Sequence, residues 1–447
     1  MDSSAARHHP PVAPGTGTGT GTGPGPGPRL RRVSGVALFL LLAAIPALAC
    51  GRNASEGPAV LQLDGGWRFR EVATAADTEH AADTATSVDT AGPPADTTWR
   101  AARVPGTVHT DLLYDSVIPD PFTGTNESKL QWIGRRDWEY ATTFGIPSFV
   151  FRHRHFELQF DGLDTYADVR LNGQPVLHAD NMFRAWTVDV TRQVREGQNR
   201  LDIVFHSPIP REDSMAAAFP YRLPAGNDPH GTRVFTRKAA YHYGWDWGPR
   251  FVTAGIWRPA RVRAWSGVVL RDLFVRQNTL TDTMATLTAH VAVQADTTAD
   301  GTLVVRSPDH AFPDVQRSVH IVPGANDVAV DFAIPDPKRW WPNGLGPHPL
   351  YTVIADVQAV AARDTLSRRV GLRTLEVVNR PDSIGRSFTV KVNGVPVFMK
   401  GANYIPQDHF TPRVDSARYA ALFGRTGAGS GPWATRPPTP PPCGPAM

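Results

Sequence analysis

At 447 residues, with 41% hydrophobic and 9% aromatic residues, the chain is long enough for two to four domains with real cores. The formal net charge of +4 is small for this size, and the charges are interspersed. A basic tract for nucleic acid is thereby excluded. The two cysteines leave no room for a disulfide framework or a cysteine-based metal cluster, and histidine pairs such as His153 and His155 lack ligand spacing, so no metal and no cofactor is expected.

Residues 1–28 are dominated by Gly-Thr and Gly-Pro repeats and read as low-complexity, disordered chain. Residues 29–50 read as an export signal. Arg29, Arg31 and Arg32 precede an apolar run from Val36 to Ala49, which is shorter than the ~20 residues of a membrane helix. The run closes on Ala47-Leu48-Ala49-Cys50-Gly51, which resembles a bacterial lipoprotein signal with Cys50 as the lipidated residue. Ala47 departs from that pattern, where a branched aliphatic residue is usual, so ordinary secretion stays open beside a periplasmic or outer-membrane lipoprotein. Membrane contact is expected only through that lipid.

From residue 57 to 266 the pattern is strand. Phe156, Leu158 and Phe160 alternate with polar residues, as do Ala167, Val169 and Leu171, which run into the hairpin dipeptide Asn172-Gly173. Trp186, Val188 and Val190 repeat the pattern, followed by Leu201, Ile203 and Phe205. Many short strands at this spacing predict an antiparallel β-sandwich. Residues 74–98, rich in Ala, Thr and Asp, read as a surface insertion. A second set of strands over 267–378 includes Leu287, Ala289, Val291 and Val293, then Val328, Val330 and Phe332, and fits one immunoglobulin-like sandwich. After it come a hairpin on Asn393-Gly394 and a helical pattern of Tyr419, Leu422 and Phe423. From Gly424 to Met447 glycine and proline dominate, and this tail is expected to be disordered and to hold no helix.

The segment richest in chemistry is Tyr241-His242-Tyr243-Gly244-Trp245-Asp246-Trp247-Gly248-Pro249-Arg250. Aromatic rings stack on the C–H faces of sugars, and a carboxylate between them accepts hydrogen bonds from hydroxyls. Core packing for the tryptophans and turn formation for the aspartate are the plainer readings of the same residues.

This segment, with Val104-Pro105-Gly106-Thr107-Val108-His109-Thr110-Asp111, Ile118-Pro119-Asp120-Pro121-Phe122 and Gln131-Trp132-Ile133, resembles the β-mannosidases of glycoside hydrolase family 2. Trp340-Trp341-Pro342-Asn343-Gly344 and Gly371-Leu372-Arg373-Thr374 are similar to the end of that family's second domain, and Gly401-Ala402-Asn403-Tyr404-Ile405-Pro406 to its first barrel strand. The resemblance implies an all-β chain: a jelly-roll-like sugar-binding sandwich, an immunoglobulin-like sandwich, then a truncated start of a TIM barrel over 379–423. It implies retaining cleavage of terminal non-reducing β-D-mannose from an oligosaccharide or glycoprotein glycan, with Trp245 and Asp246 contacting the sugar. The later motifs are shared with β-galactosidases and β-glucuronidases, which keeps those sugars open. Asn403 and Tyr404 are expected to pack rather than bind. In that family the acid/base is a glutamate after an asparagine; Asn126-Glu127 has this pairing but lies far upstream, and Glu127 reads as a loop residue.

A TIM barrel needs roughly 250 residues, far more than follow Val378, so no catalytic residue is assigned and the chain by itself is expected to be inactive. The abrupt change at Gly424 reads as a frameshift, and residues after about 380 are expected to be poorly ordered. A carbohydrate-binding lipoprotein without catalysis is the competing reading.

Overall fold

The computed structural model describes residues 57–73, 93–228, 230–360, 362–401 and 403–427. The segment expected to be an export signal, Cys50, most of residues 74–98 and the chain beyond 427 lie outside them.

Two antiparallel β-sandwiches follow one another. The first pairs a six-stranded sheet, in the order Arg100–Ala101, Arg68–Glu71, Trp138–Ile146, Gly197–His206, Tyr166–Leu171, Gln174–Asp180, with a four-stranded sheet, Ala59–Gln62, Ala260–Trp265, His155–Phe160, Trp186–Asp189. Period-two alternation fixes which face of each strand is buried. Leu201, Ile203 and Phe205 on one sheet and Phe156, Leu158 and Phe160 on the other all enter one core. Asn172 and Gly173 have φ of 52° and 80°, so the predicted tight turn joins Tyr166–Leu171 to Gln174–Asp180. The alternation fails at Glu157, which is also buried because Trp265 Nε1 and Arg271 Nη1 donate to its carboxylate at 2.9 and 2.8 Å.

The second sandwich packs a three-stranded sheet (Val268–Leu280, Met284–Ala295, Gly324–Pro335) on a four-stranded one (Val315–Ile321, Ala299–Arg306, Tyr351–Ala359, Ala362–Val370), the seven-strand layout of an immunoglobulin-like domain. Leu287, Ala289, Val291 and Val293 are all buried in its core.

Two helices interrupt the expected run of strands, and a third extends into the tail expected to hold none. Val108–Tyr114 is a helix, started by Thr107 and Thr110, whose hydroxyls accept from each other's backbone N–H. Pro208–Ala218 is a second helix, capped by Ser207 with proline at its start. The C-terminal helix, Ser416–Gly427, runs past Gly424. Glycine weakens a helix by about 1 kcal/mol but keeps its N–H, whereas proline does not; the first proline after Gly424 is Pro432.

The chain around and after residue 380 carries secondary structure. Leu375–Val378, Thr389–Val392 and Val395–Val397 form a small sheet, and Asn393-Gly394 makes its predicted turn with φ of 51° and 81°. Residues 403–406 form no strand, and Tyr404 and Ile405 are exposed. Among the described residues no helix is long and apolar enough to cross a membrane.

Candidate functional site

Residues Tyr243–Trp245 and Gly248–Arg250 pair as a short antiparallel hairpin, with Tyr243 opposite Arg250 and Trp245 opposite Gly248. Asp246 and Trp247 are therefore the two residues of its turn, which is why both are exposed. Gly244 has φ of 94°, a conformation that suits a residue without Cβ. The hairpin borders an open depression of about 430 Å³, lined by Pro121, Phe122, Glu127, Trp245, Asp246 and Pro249. Trp245 and Asp246, singled out in the sequence, thus share one concave surface. The Arg233 guanidinium lies 5.3 Å from the centroid of the Trp245 ring, and Trp247 lies 6.2 Å from it, so the indole is held from two sides.

Glu127 stands in the short helix Asn126–Lys129 and lines the same depression as Asp246. The reading of Glu127 as a loop residue is corrected to a helical one, and its Oε1 accepts from the Arg250 backbone N–H at 2.7 Å. Nothing in the linear sequence joins residues 123 positions apart.

Beneath the hairpin lies a buried polar cluster that the sequence did not reveal. Lys238 Nζ, fully buried, donates to Asp164 Oδ1 and Oδ2 at 2.5 and 2.6 Å and to the Thr253 carbonyl at 2.7 Å. Burial pulls the Lys238 pKa down, opposed by the Asp164 charge. Thr253 Oγ1 donates to Asp164 Oδ2 at 2.6 Å and lies 3.2 Å from His242 Nδ1. Burial, with Lys238 and His409 nearby, pushes His242 well below its ordinary value, so its imidazole is neutral. Its proton sits on Nε2, because the His409 carbonyl accepts there at 3.2 Å. Tyr243 donates its hydroxyl to the buried Glu212, which Thr232 also contacts at 3.2 Å; burial raises the Glu212 carboxyl.

His409 and Phe410, from the segment beyond the second sandwich, close this cluster. The Phe410 ring stacks on His109 at 5.4 Å and meets Phe251 at 5.7 Å and Phe122 at 5.6 Å. Burial lowers His409 to about 4 and His109 to about 3, so both are neutral apolar-face rings at ordinary pH. Tyr404 stays apart from the depression and stacks on Phe423 at 6.4 Å. His155 stacks on Trp265 at 4.2 Å and lies 3.2 Å from the Asp296 carboxylate, and His153 Nδ1 lies 3.3 Å from the Ser266 hydroxyl, so both are engaged away from the depression. Among the described residues no cluster of histidine, cysteine or carboxylate is arranged to hold a metal.

Comparison with known proteins identifies the family of the chain. A family profile described as glycosyl hydrolase 2 galactose-binding domain-like matches residues 67–258, and one described as glycosyl hydrolases family 2 matches 268–373. The chain is 36% identical over 326 residues to β-mannosidase B of Aspergillus terreus, covering 71% of this chain and 38% of that protein. It is 33% identical over 346 residues to β-mannosidase B of Emericella nidulans, covering 76% of this chain and 41% of that one. The chain thus spans about 40% of the length of the curated relatives it matches. The crystal structure of a β-D-mannosidase from Dictyoglomus thermophilum superposes with a TM-score of 0.73 at 33% identity, over 82% of this chain and 43% of that chain. An exo-chitosanase of Amycolatopsis orientalis, 22% identical with a TM-score of 0.59 over 82% of this chain and 39% of that one, shares the fold.

Proposed function

Because the chain belongs to glycosyl hydrolase family 2, we propose that it is the sugar-binding front part of a β-mannosidase. The whole protein, in this reading, releases terminal non-reducing β-D-mannose with retention of configuration. The observation that carries the proposal is the Asp246 carboxylate, set beside the Trp245 indole at the tip of a hairpin and facing an open depression. A ring and an exposed carboxylate on one concave surface suit a pyranose: the indole covers C–H bonds while the carboxylate accepts from hydroxyls.

Retaining hydrolysis needs two carboxyl groups about 5–5.5 Å apart, one to protonate the leaving oxygen and one to attack the anomeric carbon. We assign neither role within these 447 residues. Glu127 already accepts the Arg250 N–H, and Asp246 is proposed as a binding group. The chain is therefore proposed to bind mannosides without hydrolysing them.

Calorimetric titration of the 447-residue chain with methyl β-D-mannoside tests this. Binding should weaken about tenfold or more in Asp246→Ala, the usual cost of losing charge-assisted hydrogen bonds. Equal binding by the variant, or tighter binding of the galactoside or glucuronide, would overturn the assignment. Hydrolysis of p-nitrophenyl β-mannoside by the purified chain would refute the non-catalytic part.

A further inference from the structure

A hairpin of two three-residue strands is not stable in water by itself, so something outside it must fix where its tip points. The first strand is held by the Tyr243 hydroxyl on Glu212. The second strand is held by one short segment, Asn126–Arg135. Glu127 Oε1 accepts from the Arg250 N–H at 2.7 Å, and Gln131 Nε2 donates to the Arg250 carbonyl at 2.8 Å. Gln131 Oε1 accepts from Arg250 Nη1 at 2.7 Å, and Gln131 Nε2 also reaches the Glu127 carbonyl at 2.8 Å. Both backbone polar groups of Arg250 and its guanidinium are thus engaged by two side chains one helical turn apart. Glu127 holds this bond at the wall of the depression that Trp245 and Asp246 share.

We infer that Glu127 is a positioning residue for the Trp245–Asp246 hairpin, acting through the Arg250 N–H together with Gln131. The inference rests on the proposed mannoside site for its consequence and on the Arg250 contacts alone for its geometry. What Glu127 supplies is an acceptor oxygen at a fixed place. A glutamine there keeps the oxygen and loses the charge, whereas an alanine loses both.

The experiment uses the 447-residue chain as wild type, Glu127→Ala, Glu127→Gln and Asp246→Ala, with two readouts. Hydrogen exchange over 246–250 reports the hairpin without any ligand. Titration with methyl β-D-mannoside reports the site. Glu127→Ala should speed exchange over 246–250 and weaken binding, each about tenfold, with exchange in the core strand Gly197–His206 unchanged. Glu127→Gln should restore both. Wild-type exchange in Glu127→Ala would overturn the inference. So would a Glu127→Gln variant with normal exchange and alanine-like binding, because Glu127 would then act on the sugar through its charge. If wild type and Asp246→Ala alike bind no mannoside, the mannoside reading fails, and the exchange arm still decides the positioning role.

Discussion

The two sandwiches share an antiparallel plan and differ in what they bury. The core of the second is almost wholly aliphatic, with Phe312 against Phe332 at 4.5 Å as its aromatic contact; among the described residues, Thr288 and Ser307 are its buried polar residues, and the Asp296 carboxylate at its edge pairs with Arg154 at 2.9 Å. β-Branched and small residues suit a pleated face and need no partner. The core of the first is crowded with rings such as Trp67, Phe69, Trp132, Trp138 and Tyr140, and it buries Asp111, Asp164, Glu212, Lys238, His242 and Arg250 as well. Buried ionisable groups are weak stabilisers, because desolvation offsets most of their attraction. Several of those in the first sandwich, including Asp164, Lys238, Glu212 and Arg250, lie beneath or beside the hairpin that carries Trp245 and Asp246. The second sandwich thus buries an almost wholly apolar core, while the first gathers buried ionisable groups around the hairpin that ends in an exposed turn.

Removing one partner of the buried pair tests that contrast most severely. Lys238→Met leaves the Asp164 carboxylate without its cation and should cost about 3–5 kcal/mol in denaturant unfolding. The hydroxyls of Thr253 and Thr165 both donate to Asp164, and a loss below about 1 kcal/mol would show that they satisfy it by themselves.

Asp111 gives a smaller effect with a definite sign. Burial holds its carboxyl at about 7, against an ordinary 3.8, despite the Tyr140 hydroxyl at 2.8 Å and the Arg103 N–H at 3.0 Å. The folded state therefore binds more protons than the unfolded state between pH 3.8 and 7. Stability should fall as pH rises through that window, by roughly 2–4 kcal/mol. Asp111→Asn, which keeps an acceptor for Arg103, should flatten the profile.

The smallest effect belongs to a surface group. His206 lies 2.8 Å from Asp137 and 3.0 Å from Asp168, and these hydrogen bonds raise it from 6.5 to about 9. A raised basic group stabilises the fold fully below pH 6.5, and the contribution is lost as pH rises through about 9. The side chain is 40% exposed, so screening limits this to about 1 kcal/mol. Unfolding of wild type and His206→Asn should differ at pH 6 and converge at pH 10. A constant difference would assign the effect to packing.

What could be read from the chain was local. Period-two patterns such as Leu201, Ile203 and Phe205 announce a half-buried strand wherever they occur, and the Asn-Gly dipeptides at 172 and 393 carry their own backbone preference. The helices at 108–114 and 208–218 were legible only from their caps, since neither is long enough to show a strong apolar period. The segment 241–250 stood out for its aromatic rings around a carboxylate, and the resemblance to β-mannosidases singled out Trp245 and Asp246 within it.

The sequence by itself determined the alternating strands and their tight turns, because these depend on residues a few positions apart. The tertiary structure alone decided that Glu127 meets Arg250, that Lys238 finds Asp164, and that Phe410 returns to His109. Those contacts join residues 74 to more than 300 positions apart, and only the packing of whole sheets brings them within bonding distance.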